Sequence, residues 1–133
     1  RNYKMKNKIL IVVANYYKDI SDQMLNSTIN FSNKKLKCKI IKVPGIFEIP
    51  VMISKNIKKY DGIIALGCVI KGETPHFEFI STATTDAIMS LSIEHKKPIG
   101  NGIITCLNMK QAETRSKTKG IEAAKAVISV LSQ

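Results

Sequence analysis

The sequence predicts an α/β fold, a three-layer α/β/α sandwich on a four-stranded parallel sheet. Two observations predict it. Unbroken apolar runs such as Ile9-Leu10-Ile11-Val12-Val13-Ala14 are what a strand acquires when both its faces are covered. The segments between such runs carry apolar residues three and four positions apart, the spacing of a helix packed on one side. Strand and helix alternate along the chain, which implies parallel strands joined by right-handed crossovers and helices on both sheet faces.

Each element has its own justification. Lys8 to Ala14 is the first strand. The Lys-rich octet and apolar run at the start resemble a signal peptide, but the run is short and Asn15-Tyr16-Tyr17 follows in place of small residues, so a buried strand is the better reading. From about Ile20 to Phe31, Ile20, Met24, Leu25 and Ile29 fall at helical spacing, with Asp19 or Ser21 as the expected cap. Lys37 to Val43 alternates, setting Cys38 and Ile40 against Lys39, Ile41 and Val43, and so belongs nearer a sheet edge. Val43 to Pro50 is a turn opening into a helix with Pro50 near its start and Ile49, Ile53 and Ile57 on one face. Asp61 to Val69 is the third strand. A long helix follows from about Pro75 to Glu94, with Ile80, Ala83, Ala87, Ile88 and Leu91 inward. Ile99 to Cys106 is the fourth strand, Asn108 caps a short helix reaching Arg115, and Lys119 to Leu131 is the last helix with Ile121, Ala124, Ile128 and Leu131 in line. The winding is flavodoxin-like, and residues 1–133 form a single domain of ordinary size without a repeat or a linker.

Composition narrows the function. A 44% apolar content without a run near the length of a membrane span predicts a soluble, non-membrane protein. Cys38, Cys68 and Cys106 are an odd, widely spaced set in strand segments, as expected of a reduced cytoplasmic protein, and with only two histidines there is no metal-ligand spacing. The net charge of +11 raises nucleic acid as a partner, but the lysines are spread along the chain beside many Asn and Ile, and a general positive field to steer anionic ligands is the simpler reading. Steep salt dependence of binding would favour the nucleic-acid alternative. Of the twenty-one basic residues only Arg1 and Arg115 are arginines, so Arg115 invites a search for something that needs a planar two-pronged donor.

In such sheets ligands bind beyond the carboxyl ends of the strands, where strand order reverses. That rule selects loops 14–19, 44–48, 68–76 and 105–109. The third runs Leu66-Gly67-Cys68-Val69-Ile70-Lys71-Gly72-Glu73-Thr74-Pro75-His76-Phe77, a strand, a loop with two glycines able to hold an anion, and a helix start bearing His76. Histidine there suits proton transfer near neutral pH, against the plainer reading of a surface histidine beside a turn. The loops lack the glycine-rich Gly-Lys-Ser/Thr turn of P-loop enzymes, the hydroxyl-rich phosphate loop of flavodoxins, the acidic residues of response regulators and the three-glycine dinucleotide fingerprint. They offer an aromatic ring, a carboxylate at Glu48, an anion pocket and a proton-transfer group.

Val43-Pro44-Gly45-Ile46-Phe47-Glu48-Ile49-Pro50 and the Ala65 to Phe77 stretch resemble the two signature segments of the lumazine synthase family, which makes the penultimate intermediate of riboflavin. The resemblance continues through Asn101-Gly102-Ile103-Ile104-Thr105, Gln111-Ala112, Arg115 and Lys119 to Ala124, and so covers essentially the whole chain. It implies a transferase that condenses 5-amino-6-(D-ribitylamino)uracil with 3,4-dihydroxy-2-butanone 4-phosphate to 6,7-dimethyl-8-ribityllumazine, phosphate and water, without cofactor or metal. By the same resemblance His76 transfers protons. Tyr16 stacks on the pyrimidine, with an ordinary loop tyrosine as the alternative. Ile46, Phe47, Glu48, Cys68, Val69 and Ile70 line the ribitylaminouracil site, with Glu48 on the ribityl chain. Glu73, Thr74 and Arg115 hold the phosphate of the butanone, and Lys119 either assists them or is a solvated helix-start lysine.

The chain departs from the family pattern in three places. Tyr17 follows Tyr16 where Asn is common. Asn101 stands in the ribitylaminouracil site where many members carry a Phe that reaches into the adjacent subunit, and the segment from Arg115 to Lys119 is short. The resemblance further implies a homo-oligomer, a pentamer with active sites between subunits and in some members a closed shell of about 60 subunits. A catalytically idle module holding a flavin or lumazine in the same pocket is the competing class, which binding without turnover would reveal.

Overall fold

The computed structural model describes residues 5–73 and 76–133. Four parallel strands, β1 (Asn7–Ala14), β2 (Leu36–Val43), β3 (Gly62–Ile70) and β4 (Ile99–Cys106), form one sheet in the order β2-β1-β3-β4. Five helices connect and cover them: α1 (Lys18–Ser32), α2 (Ile49–Asn56), α3 (Phe77–His95), α4 (Met109–Arg115) and α5 (Lys119–Leu131). Single 3-10 turns at Ile46–Glu48 and Ile57–Lys59 flank α2. The architecture is the three-layer, flavodoxin-like sandwich that the alternation predicts.

The side-chain period of a strand divides the core in two. Ile9, Ile11 and Val13 of β1 and Ile64, Leu66 and Ile70 of β3 pack against Met24 of α1, Ala112 of α4 and Val127 of α5. The alternate residues Leu10, Val12, Ile63, Ala65 and Val69 face Ile49, Ile53 and Ile57, on α2 and the turn after it, and Ile88 of α3. Every residue of β3 is buried, as an inner strand requires. β2 is an edge strand, and its Lys37, Lys39 and Lys42 are exposed, charges that blunt an open edge against further pairing.

Three local expectations change. α1 starts at Lys18, so Asp19 and Ser21 lie inside its first turns and neither is the cap. Tyr17 holds that position without a side-chain cap hydrogen bond, its carbonyl accepting from Ser21 N at 2.9 Å, while the Ser21 hydroxyl donates to the Lys18 carbonyl at 3.0 Å. α3 starts at Phe77 with His76 at its N-cap, and the Pro75 expected at its start lies outside the described residues. Its inward line runs Ile80, Thr84, Ile88, Leu91, with Thr84 buried at the centre and Ala83 exposed. In α5 the deepest positions are Gly120, Ala123, Ala124 and Val127, and Ile121, Ile128 and Leu131 flank them half-buried.

Candidate functional site

Strand order reverses between β1 and β3, so the chain leaves their carboxyl ends in opposite directions and opens a crevice there. A cleft of about 210 Å³ occupies this end of the sheet on the α2/α3 side. Its walls come from the loops that follow β1, β2 and β3. Tyr16 follows β1, Gly45 to Glu48 follow β2, and Cys68, Val69 and Glu73 come from the end of β3 and its loop, with Ile80 of α3 closing the side. The first two loops are tied together by Asn15 N donating to the Val43 carbonyl at 3.0 Å. Gly67 permits the floor. A Cβ there would stand less than 3.0 Å from Ile46 Cδ1, so only a glycine lets Ile46 lie across β3. Tyr16 and Phe47 are 69% and 70% exposed, and their rings are two large apolar surfaces at the cleft mouth that a flat ligand would cover.

The loop after β3 is built by a tight turn. Glu73 N donates to the Ile70 carbonyl at 3.3 Å, Lys71 N to the Cys106 carbonyl at 2.9 Å, and Gly72 takes φ 86°, the left-handed conformation that costs glycine nothing. His76 takes φ 68°, a region where His is more often found than most residues. From there its carbonyl accepts the Ile80 N–H at 2.9 Å to begin α3, and its ring stands exposed 6.1 Å from that of Phe79. Thr74, expected beside Glu73 at the phosphate, lies outside the described residues.

Cys68 borders the cleft, but its side chain belongs to the core with α1, α4 and α5, where burial pushes the thiol up to about 12 with a smaller contribution from the Cys106 thiol beside it. Ile70, expected with Cys68 and Val69, is fully buried in that same core and does not line the cleft.

The remaining expected residues stand elsewhere on the chain. α4 is fixed at its start by Asn108 Oδ1, which accepts from Gln111 N at 2.9 Å, while Gln111 Oε1 accepts from Leu107 N at 2.8 Å. That anchor delivers Arg115 at the last position of α4, where Nη1 donates to the Thr105 carbonyl at 2.8 Å and lies 3.7 Å from Cys106 Sγ. Asn101 Oδ1 accepts from Ile103 N at 3.1 Å, and the residue lines a separate groove with Met89 of α3 and Val130 of α5. Lys119 Nζ is 4.0 Å from Glu122 Oε1. One chain therefore brings together Tyr16, Ile46, Phe47, Glu48, Cys68, Val69 and Glu73, and leaves Ile70, His76, Asn101, Arg115 and Lys119 outside the lining of that cleft. Sequence reasoning missed two wall residues, Gly45 and, on α3, Ile80. For Ile80, its position one helical turn after His76 was the available signal. Among the described residues no three His, Cys, Asp or Glu side chains gather as a metal site would require, and no helix is long and apolar enough to cross a membrane.

The two stretches that line the cleft are the two that carry the resemblance drawn from sequence, and comparison with known proteins bears on the same residues. The family model described as 6,7-dimethyl-8-ribityllumazine synthase matches residues 6–133. A protein of Bartonella henselae with that name is 43% identical over 95% of this chain and 87% of its own length. A second from Bartonella bacilliformis is 42% identical over 92% and 87%, and one from Nitrobacter hamburgensis is 38% identical over 93% and 83%. With both signature segments folded into one cleft and the match running from Lys6 to the last residue, the chain belongs to the 6,7-dimethyl-8-ribityllumazine synthase family.

Proposed function

We propose that the chain condenses 5-amino-6-(D-ribitylamino)uracil with 3,4-dihydroxy-2-butanone 4-phosphate, releasing phosphate and water as the lumazine forms. The observation that carries this reading is the cleft at the strand-order reversal, where an aromatic ring, a carboxylate and an anion loop converge. The pyrimidine lies against Tyr16, its ribityl hydroxyls reach Glu48, and Phe47 with Val69 covers the rest of the ring. The loop of Gly72 to Thr74 and the Arg115 guanidinium hold the phosphate. The primary amine attacks the ketone to form an imine with loss of one water, phosphate leaves by elimination to an enol that becomes a new ketone, and the second amine closes the ring on that carbonyl with loss of a second water. Each step moves protons, and His76, at the end of the phosphate loop, is the group that moves them. Holding two substrates in reacting geometry supplies the rest. Mixing both substrates with the protein and following lumazine absorbance tests the reading. A rate no higher than the spontaneous condensation overturns it.

The same reading places the site between subunits of a cyclic oligomer, a pentamer, in the cytoplasm, where three free thiols suit a reducing compartment. It is supported by the position of Asn101 and Arg115 outside the cleft of their own chain and by exposed apolar residues on α3 and α5, Met89, Ile93 and Val130. If the cleft of one subunit is completed by Arg115 of the next, Tyr16→Ala and Arg115→Ala chains unfolded together and reassembled regain activity that neither has alone. For random mixing in equal amounts about a quarter of the sites join two intact halves, because a head-to-tail interface pairs each cleft with one neighbour. Recovery near a quarter of the native rate supports the shared site, and no recovery refutes it.

A further inference from the structure

Tyr16 is 69% exposed on a short loop, and a ring so placed has little of its own to fix its plane. One contact supplies that constraint. The Tyr17 ring meets the Tyr16 ring edge to face, with centroids 4.9 Å apart and planes at 88°. Tyr17 is itself held on two sides. Its backbone is the N-cap of α1, and its half-buried ring packs against the core shared by α1, α4 and α5, beside Met109 and Glu113 of α4. Successive side chains leaving a strand point to opposite faces. Here the two rings straddle the end of the sheet, Tyr17 on the α1/α4/α5 side and Tyr16 in the cleft on the α2/α3 side.

We propose that Tyr17 is a positioning residue for the planar heterocyclic substrate, carrying the rigidity of the α1/α4/α5 core across the sheet end to the Tyr16 ring. It touches no substrate. It sets the plane of the ring that does, so that binding need not immobilise a free side chain. The proposal rests on the reading of Tyr16 as the stacking partner.

The experiment is steady-state kinetics with each substrate varied in turn, on the full chain, for Tyr17→Leu, Tyr17→Phe, Tyr16→Ala and the Tyr16→Ala/Tyr17→Leu double variant, with thermal unfolding at one protein concentration as a check of folding. Leucine keeps apolar bulk against the core and removes the ring edge. Tyr17→Leu is expected to raise KM for the ribitylaminouracil about two- to twelvefold, the range that an aromatic pair represents. KM for the butanone phosphate stays unchanged, and Tyr17→Phe, which keeps the ring against Tyr16, keeps the native KM for the ribitylaminouracil. In the Tyr16→Ala background the Tyr17→Leu effect disappears, which a merely structural role would not produce. Equal rises in both KM values, no rise at all, failure of Tyr17→Phe to keep the native KM, or a Tyr17→Leu effect that persists without Tyr16 overturns the inference while leaving the proposed reaction standing. A Tyr16→Ala variant with native KM removes the stacking reading and the inference with it.

Discussion

Replacing Gly67 by alanine tests whether the cleft floor depends on a missing side chain. The new Cβ would lie under 3.0 Å from Ile46 Cδ1, 3.3 Å from Ala14 Cβ and 3.7 Å from Ile49 Cδ1. The last distance is ordinary contact, and the second is slightly tight. The first must open by at least about 0.5 Å to reach the usual carbon–carbon separation. Ala14 is strand and Ile49 is fully buried, so the atom with room to move is the Ile46 terminal methyl, and the room lies toward the cleft that Ile46 lines. Overpacking of this kind costs about 1–3 kcal/mol. At about 2.1 cal/mol/K of unfolding entropy per residue, a chain of 133 residues loses about 4–11 °C in Tm. Differential scanning calorimetry at fixed protein concentration reads the loss, and the two-substrate assay reads the second consequence. KM for the ribitylaminouracil rises because its floor has been raised, while KM for the butanone phosphate, held beyond the turn at Gly72, is unaltered. A Tm within 1 °C of native, on the order of 0.3 kcal/mol, together with an unaltered KM would refute the argument, since the methyl would then have rotated away at no cost.

Three further outcomes follow from other contacts. Arg115→Lys keeps the charge but cannot hold the Thr105 carbonyl and a tetrahedral anion with one planar fork. KM for the butanone phosphate is expected to rise about tenfold or more, the worth of a lost charge-assisted hydrogen bond, and a native value would contradict the proposed grip. His76→Asn is the cleaner removal of the imidazole, because Asn tolerates φ 68° where Ala is strained. Its kcat should fall at least about tenfold with little change in either KM, below the usual range for acid–base catalysis because the condensation also proceeds unaided. An unchanged kcat takes proton transfer away from His76. The Cys68 thiol, ordinarily at 9.0, is raised to about 12 in the folded chain by burial. The folded state then holds that proton more tightly, so its stabilisation is complete below about pH 9 and is lost as the pH climbs from 9 toward 12. Cys68→Ala should flatten the alkaline limb of the stability profile in that interval, measured by urea unfolding, and an identical limb in both proteins would show that Cys68 does not titrate there.

The inner strands were legible because burial on both faces leaves no polar position to interrupt the run. β4, α4 and α5 were legible to their ends, α4 through Asn108 as its cap. α3 was not, since Phe79, Ile80, Ala83, Ala87, Ile88, Met89, Leu91 and Ile93 surround the helix and no apolar stripe fixes its rotation. The structure turns Thr84 inward and leaves Phe79, Met89 and Ile93 exposed, which a single chain's pattern cannot separate from core. The start of α1 was missed for the opposite reason. Asp19 and Ser21 look like caps, but the helix had begun at Lys18 without a side-chain cap hydrogen bond. The loops of the cleft were legible from the strand-end rule. That rule does not distinguish Cys68 and Ile70, whose side chains turn to the opposite face, from Val69, which packs on the cleft side.

The use of arginine at position 115 in a chain otherwise committed to lysine follows from where α4 ends. Its side chain emerges beside the last residues of an edge strand, and the Thr105 carbonyl there accepts from Nη1 at 2.8 Å. A lysine could donate to that carbonyl, but its ammonium is a single point and would then be committed there. The guanidinium divides its five donors between directions fixed by one plane. With Nη1 held by Thr105 and set against Cys106 Sγ, the rest of the fork has a defined orientation at the exposed end of α4. A phosphate then meets an oriented pair of donors in place of a mobile charge, and less side-chain entropy is lost on binding. The carbonyl of Thr105 is thus part of the proposed grip although it never meets the phosphate. The short capped helix serves the same end, because Asn108 and Gln111 fix its start and thereby the point from which Arg115 reaches out.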